Sequence, residues 1–228
     1  MYTIEYEMQL PGEAAPWRQT LQSDEPSWAA LANDGPTRVV LPPAIFTPAS
    51  VVPDEVLATW DGEKVHLVEQ PVSALDLMGA LVVLFVVESP HTSEYREGFV
   101  PIGLLQDRST RKRLRNHLAM HLAAMGVPAG ATVVVSNPVQ WQASLGSLRS
   151  RQRPGQIRTV MWNELFNAGW KANFQARVAE YGPKWILNAC TAAVKAEVDA
   201  VLPPGVPVWA ASHPSSKWFE KRLATRVR

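Results

Sequence analysis

Four short apolar runs do most to limit what this chain can fold into. They are LVVLFVV (81–87), ATVVVS (131–136), KWILNA (184–189) and VPVWAA (206–211). Runs this short and this free of polar alternation are expected of strands covered on both faces. Helix-length stretches separate them, near 107–125, 159–181 and 191–202, with a last one near 216–226. Strands that alternate with helices are joined by crossovers and lie parallel. The predicted fold is therefore α/β, a three-layer α/β/α sandwich around a mainly four-stranded parallel sheet, over residues 74–228.

Residues 1–73 have another character and are expected to form an acidic, strand- and proline-rich segment packed on that core. TIEYEMQL alternates Ile4, Tyr6, Met8 and Leu10 with polar residues, as a half-buried strand does. Prolines crowd the stretch from Pro36 to Pro53, which predicts a loop-rich connection, and KVHLVEQ from Lys64 is a further strand candidate. The net charge of +1 hides a strong asymmetry. Residues 1–80 carry 12 acids and 3 bases, whereas residues 81–228 carry 9 acids and 19 bases. The bases gather in RSTRKRLR (108–115), RSRQRPGQIR (149–158) and KWFEKRLATRVR (217–228), a pattern suited to polyanions.

Several classes are disfavoured. The longest apolar run, Ala80 to Val87, is too short to span a bilayer, and MYTIEYEMQL lacks the regions of a signal peptide. A cytoplasmic protein without membrane attachment is expected. A single cysteine, Cys190, allows neither an internal disulfide nor a four-cysteine metal site. His117 and His121 have the i, i+4 spacing of a metal pair but no glutamate between them, so no metal is expected there.

The strand ends carry the chemistry. The first run ends in Glu88-Ser89-Pro90-His91, the second in Ser136-Asn137-Pro138 and the fourth in Ser212-His213-Pro214-Ser215-Ser216. In an open α/β sheet, ligands bind beyond the carboxyl ends of the strands, so three polar termini are expected to meet at one edge.

In order along the chain, these segments resemble the motifs of the uracil-DNA glycosylase superfamily. Val87-Glu88-Ser89-Pro90-His91 stands where one branch has G-E-A-P-G and another G-Q-D-P-Y-H. Gly98-Phe99-Val100-Pro101, VVVSNP with Asn137, ILNACTAA (186–193) and His213-Pro214-Ser215 follow in register, so the resemblance covers roughly residues 80–220. It departs at Val87 for glycine, at Ser89 where one branch has aspartate, at His91 for glycine or tyrosine, and in lacking iron–sulfur cysteines.

The resemblance implies a monofunctional DNA glycosylase, a hydrolase that flips a nucleotide out of the stack and cuts its N-glycosidic bond. Glu88 would orient or activate the attacking water, and His213 would stabilise charge growing on the base O2. Phe99 would stack on the flipped base, Asn137 would bond its Watson–Crick edge, and Ser89 and His91 would line its wall. Ser215, Ser216, Lys217 and Trp218 would meet DNA, with Arg111, Arg113, Arg149 and Arg151 on phosphates. The partner would be single- or double-stranded DNA, the protein a monomer, and no cofactor is implied. The excised base would be uracil or a modified cytosine, since one branch resembling this family acts in phage defence on glucosylated 5-hydroxymethylcytosine. Two rival readings stand beside it: a catalytically silent DNA-binding module on the same fold, and a hydrolase of free nucleotides.

Overall fold

The computed structural model describes residues 2–8, 17–23, 37–40, 47–69, 77, 80–91, 94–97, 100–103, 108–143 and 155–228. Twelve strands are found among them. β1 (Tyr2–Met8), β2 (Trp17–Ser23) and β3 (Thr37–Val40) form a three-stranded sheet in the order β2-β1-β3. β7 (Tyr95–Arg96) and β8 (Val100–Pro101) form a small antiparallel pair.

The main sheet has seven strands in the order β12-β11-β10-β6-β9-β4-β5. Its centre is the expected parallel set: β6 (Val82–Val86), β9 (Ala131–Ser136), β10 (Trp185–Asn188) and β11 (Val208–Ala210). Three antiparallel strands widen it beyond the four predicted. β4 (Glu55–Trp60) pairs with β9, β5 (Val65–Leu67) with β4, and β12 (Thr225–Arg226) with β11. The sheet thus runs across the expected boundary at residue 73, with KVHLVEQ supplying β5.

Helices cover both faces. α1 (Arg108–Ala124) buries Leu114, Leu118 and Leu122, an i, i+4, i+8 stripe, against Val83, Phe85, Val133 and Leu187. α2 (Gly155–Leu165), α3 (Lys171–Tyr181) and α4 (Ala192–Asp199) cover the other face, where Trp162, Phe174, Val178, Val194 and Val198 meet Leu84, Val86, Val134 and Ile186. The single helix expected over 159–181 is in fact α2 and α3, joined through a π-type turn at Phe166–Trp170 in which Gly169 takes φ 133°. α3 ends on Gly182 in the left-handed conformation, which glycine adopts without steric cost. None of the described helices is long and apolar enough to cross a membrane.

The helix expected near 216–226 is absent, and its replacement shapes the site. Ser216 Oγ accepts the Trp218 N–H at 3.2 Å, a local bond that competes with helix formation. One turn follows, closed by Arg222 N–H on Trp218 O at 3.1 Å, and the chain then extends into β12 and covers the edge of β11.

Candidate active site at the strand ends

The four central strands are parallel, so their carboxyl ends share one edge. From β6 the chain crosses through α1 to β9 on one side, while from β10 it crosses through α4 to β11 on the other. The crevice between β6 and β10 is therefore the topological switch point, where such sheets bind ligands. The residues just past those strands are Glu88 and Thr191.

Glu88 is only 3% exposed and well partnered. Its Oε1 forms an ion pair with Arg158 Nε at 3.0 Å, and its Oε2 accepts the Thr191 hydroxyl. The Trp162 indole N–H donates to the Glu88 carbonyl at 2.8 Å, which fixes the backbone. Thr191 occupies the N-cap position of α4, yet its hydroxyl makes no capping bond and serves Glu88 instead. Each carboxylate oxygen has a second lone pair, so the group retains capacity for a water.

His213 follows β11 and is held in one tautomer. Its Nδ1 accepts the backbone N–H of Ser215 at 3.2 Å and lies 2.7 Å from the Ser215 hydroxyl. An accepting Nδ1 leaves the ring proton on Nε2 in the neutral form, as a donor. Burial, and then the positive charge of Arg158, with His91 and Lys195 adding to it, push the His213 pKa from 6.5 down to about 4. A neutral imidazole donor therefore stands at this edge at neutral pH.

That shift has a definite sign. The folded state holds His213 neutral, while the unfolded chain takes up its proton near pH 6.5, so the unfolded state binds more protons between the two values. The His213 contribution to stability is complete above pH 6.5 and is lost as pH falls toward about 4. NMR titration of the imidazole protons is expected to give a His213 midpoint near 4, with Nε2 protonated at pH 7. A midpoint near 6.5 would contradict this geometry.

Asn137 ends β9, is 4% exposed, and its Oδ1 has no hydrogen-bond partner among the described residues. A buried amide oxygen left unpaired is costly unless something else meets it. The backbone beneath it is firmly held. Arg177, reaching up from α3, donates from Nη2 to the Asn137 carbonyl at 2.9 Å and from Nη1 to Ser136 Oγ at 3.0 Å and to Asp54. Asp54 also accepts Ser136 Oγ at 2.9 Å, Gln140 Nε2 at 3.0 Å and Tyr181 OH at 3.0 Å. Burial and the Asp54 charge push the Tyr181 pKa up.

The remaining sequence candidates divide. Ser89 is half-buried beside Glu88. His91 is exposed on a turn in which its N–H donates to Glu94 Oε1 at 2.8 Å, and its charge bears on His213. Arg113 Nη1 donates to the Pro214 carbonyl at 3.3 Å and to that of Ser215, so this arginine holds the loop that carries His213. Arg111 lies 3.4 Å from the exposed Glu69 carboxylate. Phe99, Arg149 and Arg151 lie outside the described residues. His117 and His121 do not form a metal pair. His121 is fully buried, bonded through Nε2 to the Phe219 carbonyl at 2.9 Å and through Nδ1 to the Ala224 N–H at 3.1 Å.

Ser215 and Lys217 are exposed, Ser216 is half-buried, and Trp218 presents an indole that is 42% exposed. The Arg222 guanidinium sits 4.3 Å from the centre of that ring and Lys217 Nζ 5.5 Å. An exposed ring flanked by two cations suits a stacked base next to a phosphate. Trp218→Ala is expected to weaken single-stranded DNA binding by about 1–3 kcal/mol while leaving the fold intact, as read by fluorescence anisotropy.

Other residues at this edge carry no sequence signature. Because β4 is antiparallel to β9, its amino end brings Asp54 and Glu55 to the same rim. Glu55 is 5% exposed; burial first, then the Asp54 charge, raise its pKa. Gly103, at φ 81°, passes so close that a Cβ there would lie 2.5 Å from Glu55 Oε1. Beside His213 opens a cleft of about 950 Å³, lined by Thr191, Lys195, Ser216, Lys221 and Arg222 among others and, among the described residues, by no carboxylate.

No family model matches this chain, and neither does any curated protein or solved structure.

Proposed function

We propose that the protein is a DNA glycosylase of the uracil-DNA glycosylase type, hydrolysing the N-glycosidic bond of a non-standard pyrimidine. The observation that carries this reading is the neutral His213, its Nδ1 occupied by Ser215 and its proton on Nε2, at the rim of a cationic cleft. A fixed neutral donor suits an oxygen that gains charge as a base departs, because pre-organised electrostatics aimed at developing charge give the largest catalytic gains. Glu88, at the switch point beyond β6, supplies the carboxylate that orients water and faces a sugar becoming cationic. Asn137, with Oδ1 unpaired and its backbone braced by Arg177, offers a ready partner for a base edge. The order of strands and helices supports the same fold reading.

A specific observation favours the silent binding module as the second reading. Both Glu88 oxygens already have protein partners, Arg158 and Thr191, as a structural carboxylate would. An excision assay separates the two. Oligonucleotides containing uracil, mismatched thymine, 5-hydroxymethylcytosine or its glucosylated form would be incubated with the protein, single- and double-stranded, and then cleaved with alkali. Strand cuts at one of these bases are expected. Tight binding without a cut at any of them would favour the silent module.

A further inference from the structure

Lys195 enters the cleft from α4, about one turn beyond Thr191. Its Nζ donates to the Asn188 carbonyl at 3.2 Å and to the Ala211 carbonyl. These carbonyls end β10 and follow β11, so the nitrogen is fixed at the strand edge rather than free like a surface lysine. The two carbonyls accept two of its N–H bonds, and the third direction, an N–H in the ammonium and a lone pair once that proton has gone, is left for the cleft that Lys195 lines. Burial pushes its pKa down, with the Asp199 carboxylate opposing that shift, and no ion pair to it is formed among the described residues. An amine so held, and drawn toward its neutral form, is equipped as a nucleophile for carbonyl carbon.

The proposed reaction supplies such a carbon. Loss of the base leaves an abasic deoxyribose whose ring-opened form is an aldehyde at C1′. We infer that Lys195 performs a second step, condensing with this aldehyde and cutting the DNA strand by β-elimination. This rests on the reading of the cleft as a DNA-processing site and goes beyond the monofunctional hydrolysis implied by the resemblance. The Nζ lone pair forms a C–N bond to C1′, the carbonyl oxygen leaves as water after taking up protons, and an iminium remains. The iminium acidifies C2′–H, whose proton passes to water. The electrons left on C2′ form the C2′–C3′ double bond as the C3′–O bond breaks. The leaving oxygen departs on the 5′-phosphate of the downstream fragment, and water then hydrolyses the imine and restores the amine.

A reductive trap tests this without requiring base excision. An end-labelled oligonucleotide with a chemically prepared abasic site is incubated with the full-length protein and sodium cyanoborohydride, then resolved on a denaturing gel. A covalent protein–DNA band is expected, and peptide mapping should place the reduced linkage on Lys195. Lys195→Arg should lower the band at least 10-fold, whereas Lys184→Arg, exposed at the opposite edge of the sheet, should leave it unchanged. If Lys195→Arg does not fold by circular dichroism, the mapping on the unmutated protein decides. No adduct, or an adduct on another amine, overturns the inference. Because the abasic site is preformed, failure of trapping leaves the excision reading standing, and failure of excision leaves this test valid.

Discussion

Glu88→Gln and His213→Ala are each expected to slow single-turnover excision by roughly 10²-fold or more, about 2.7 kcal/mol of transition-state stabilisation. Glu88→Gln keeps the shape and the bond from Thr191 but removes the charge that faces Arg158 and the developing sugar cation. His213→Ala removes the Nε2 donor and leaves the Ser215 N–H without its acceptor. Trp218, Lys217 and Arg222 are untouched by either change, so DNA affinity should persist, because backbone contacts fix position rather than chemistry. The two losses should fall short of additive if both groups act on one transition state. Rates matching the unmutated protein in both variants would remove the catalytic role assigned to this edge.

The second large effect concerns stability. Asp54→Ala is expected to destabilise the fold by about 3–5 kcal/mol, since it strands the Arg177 guanidinium in a buried setting. The Asp54 side chain is 1% exposed and that of Arg177 13%, so solvent offers little substitute. Arg177→Met should cost less than Asp54→Ala, because it removes the buried cation instead of leaving it unpaired. The double variant should cost less than the two singles added, as coupled partners do. Urea midpoints measured at pH 7 check all three. Because Arg177 also braces Asn137 and Ser136, variants that still fold are expected to excise more slowly. Additive midpoints would show that Asp54 and Arg177 do not act as a pair.

The parts of this site that were legible in the sequence share one property: they are local. Three of the four central strands, β6, β9 and β11, are short apolar runs followed closely by polar residues and a proline, so Glu88, Asn137 and His213 declare themselves at strand ends. The supporting groups come from far away in the chain and leave no local trace. Arg177 is 123 residues from Asp54, and Thr191 is 103 from Glu88. Nothing in the spacing of a helix says which of its arginines will reach a strand end. β4 carries no such signal: EVLATW follows a proline-rich stretch and begins with an acid, although its burial is that of a covered strand. No helix forms near 216–226, although Phe219 and Leu223 stand at i, i+4, a spacing that mimics an apolar face. Only Phe219 is buried, whereas Leu223 is 56% exposed, because β12 pulls the chain back to β11. Charge alone likewise gives no sign that Arg113 holds the carbonyls of Pro214 and Ser215.

Release of free base separates excision from binding alone. DNA carrying each candidate pyrimidine would be incubated with the unmutated protein and with His213→Ala, and the small-molecule fraction analysed by mass spectrometry. One pyrimidine is expected to appear as the free base with the unmutated protein, and at least about 10²-fold more slowly with His213→Ala. No free base from any substrate, or equal release by the two proteins, would contradict it.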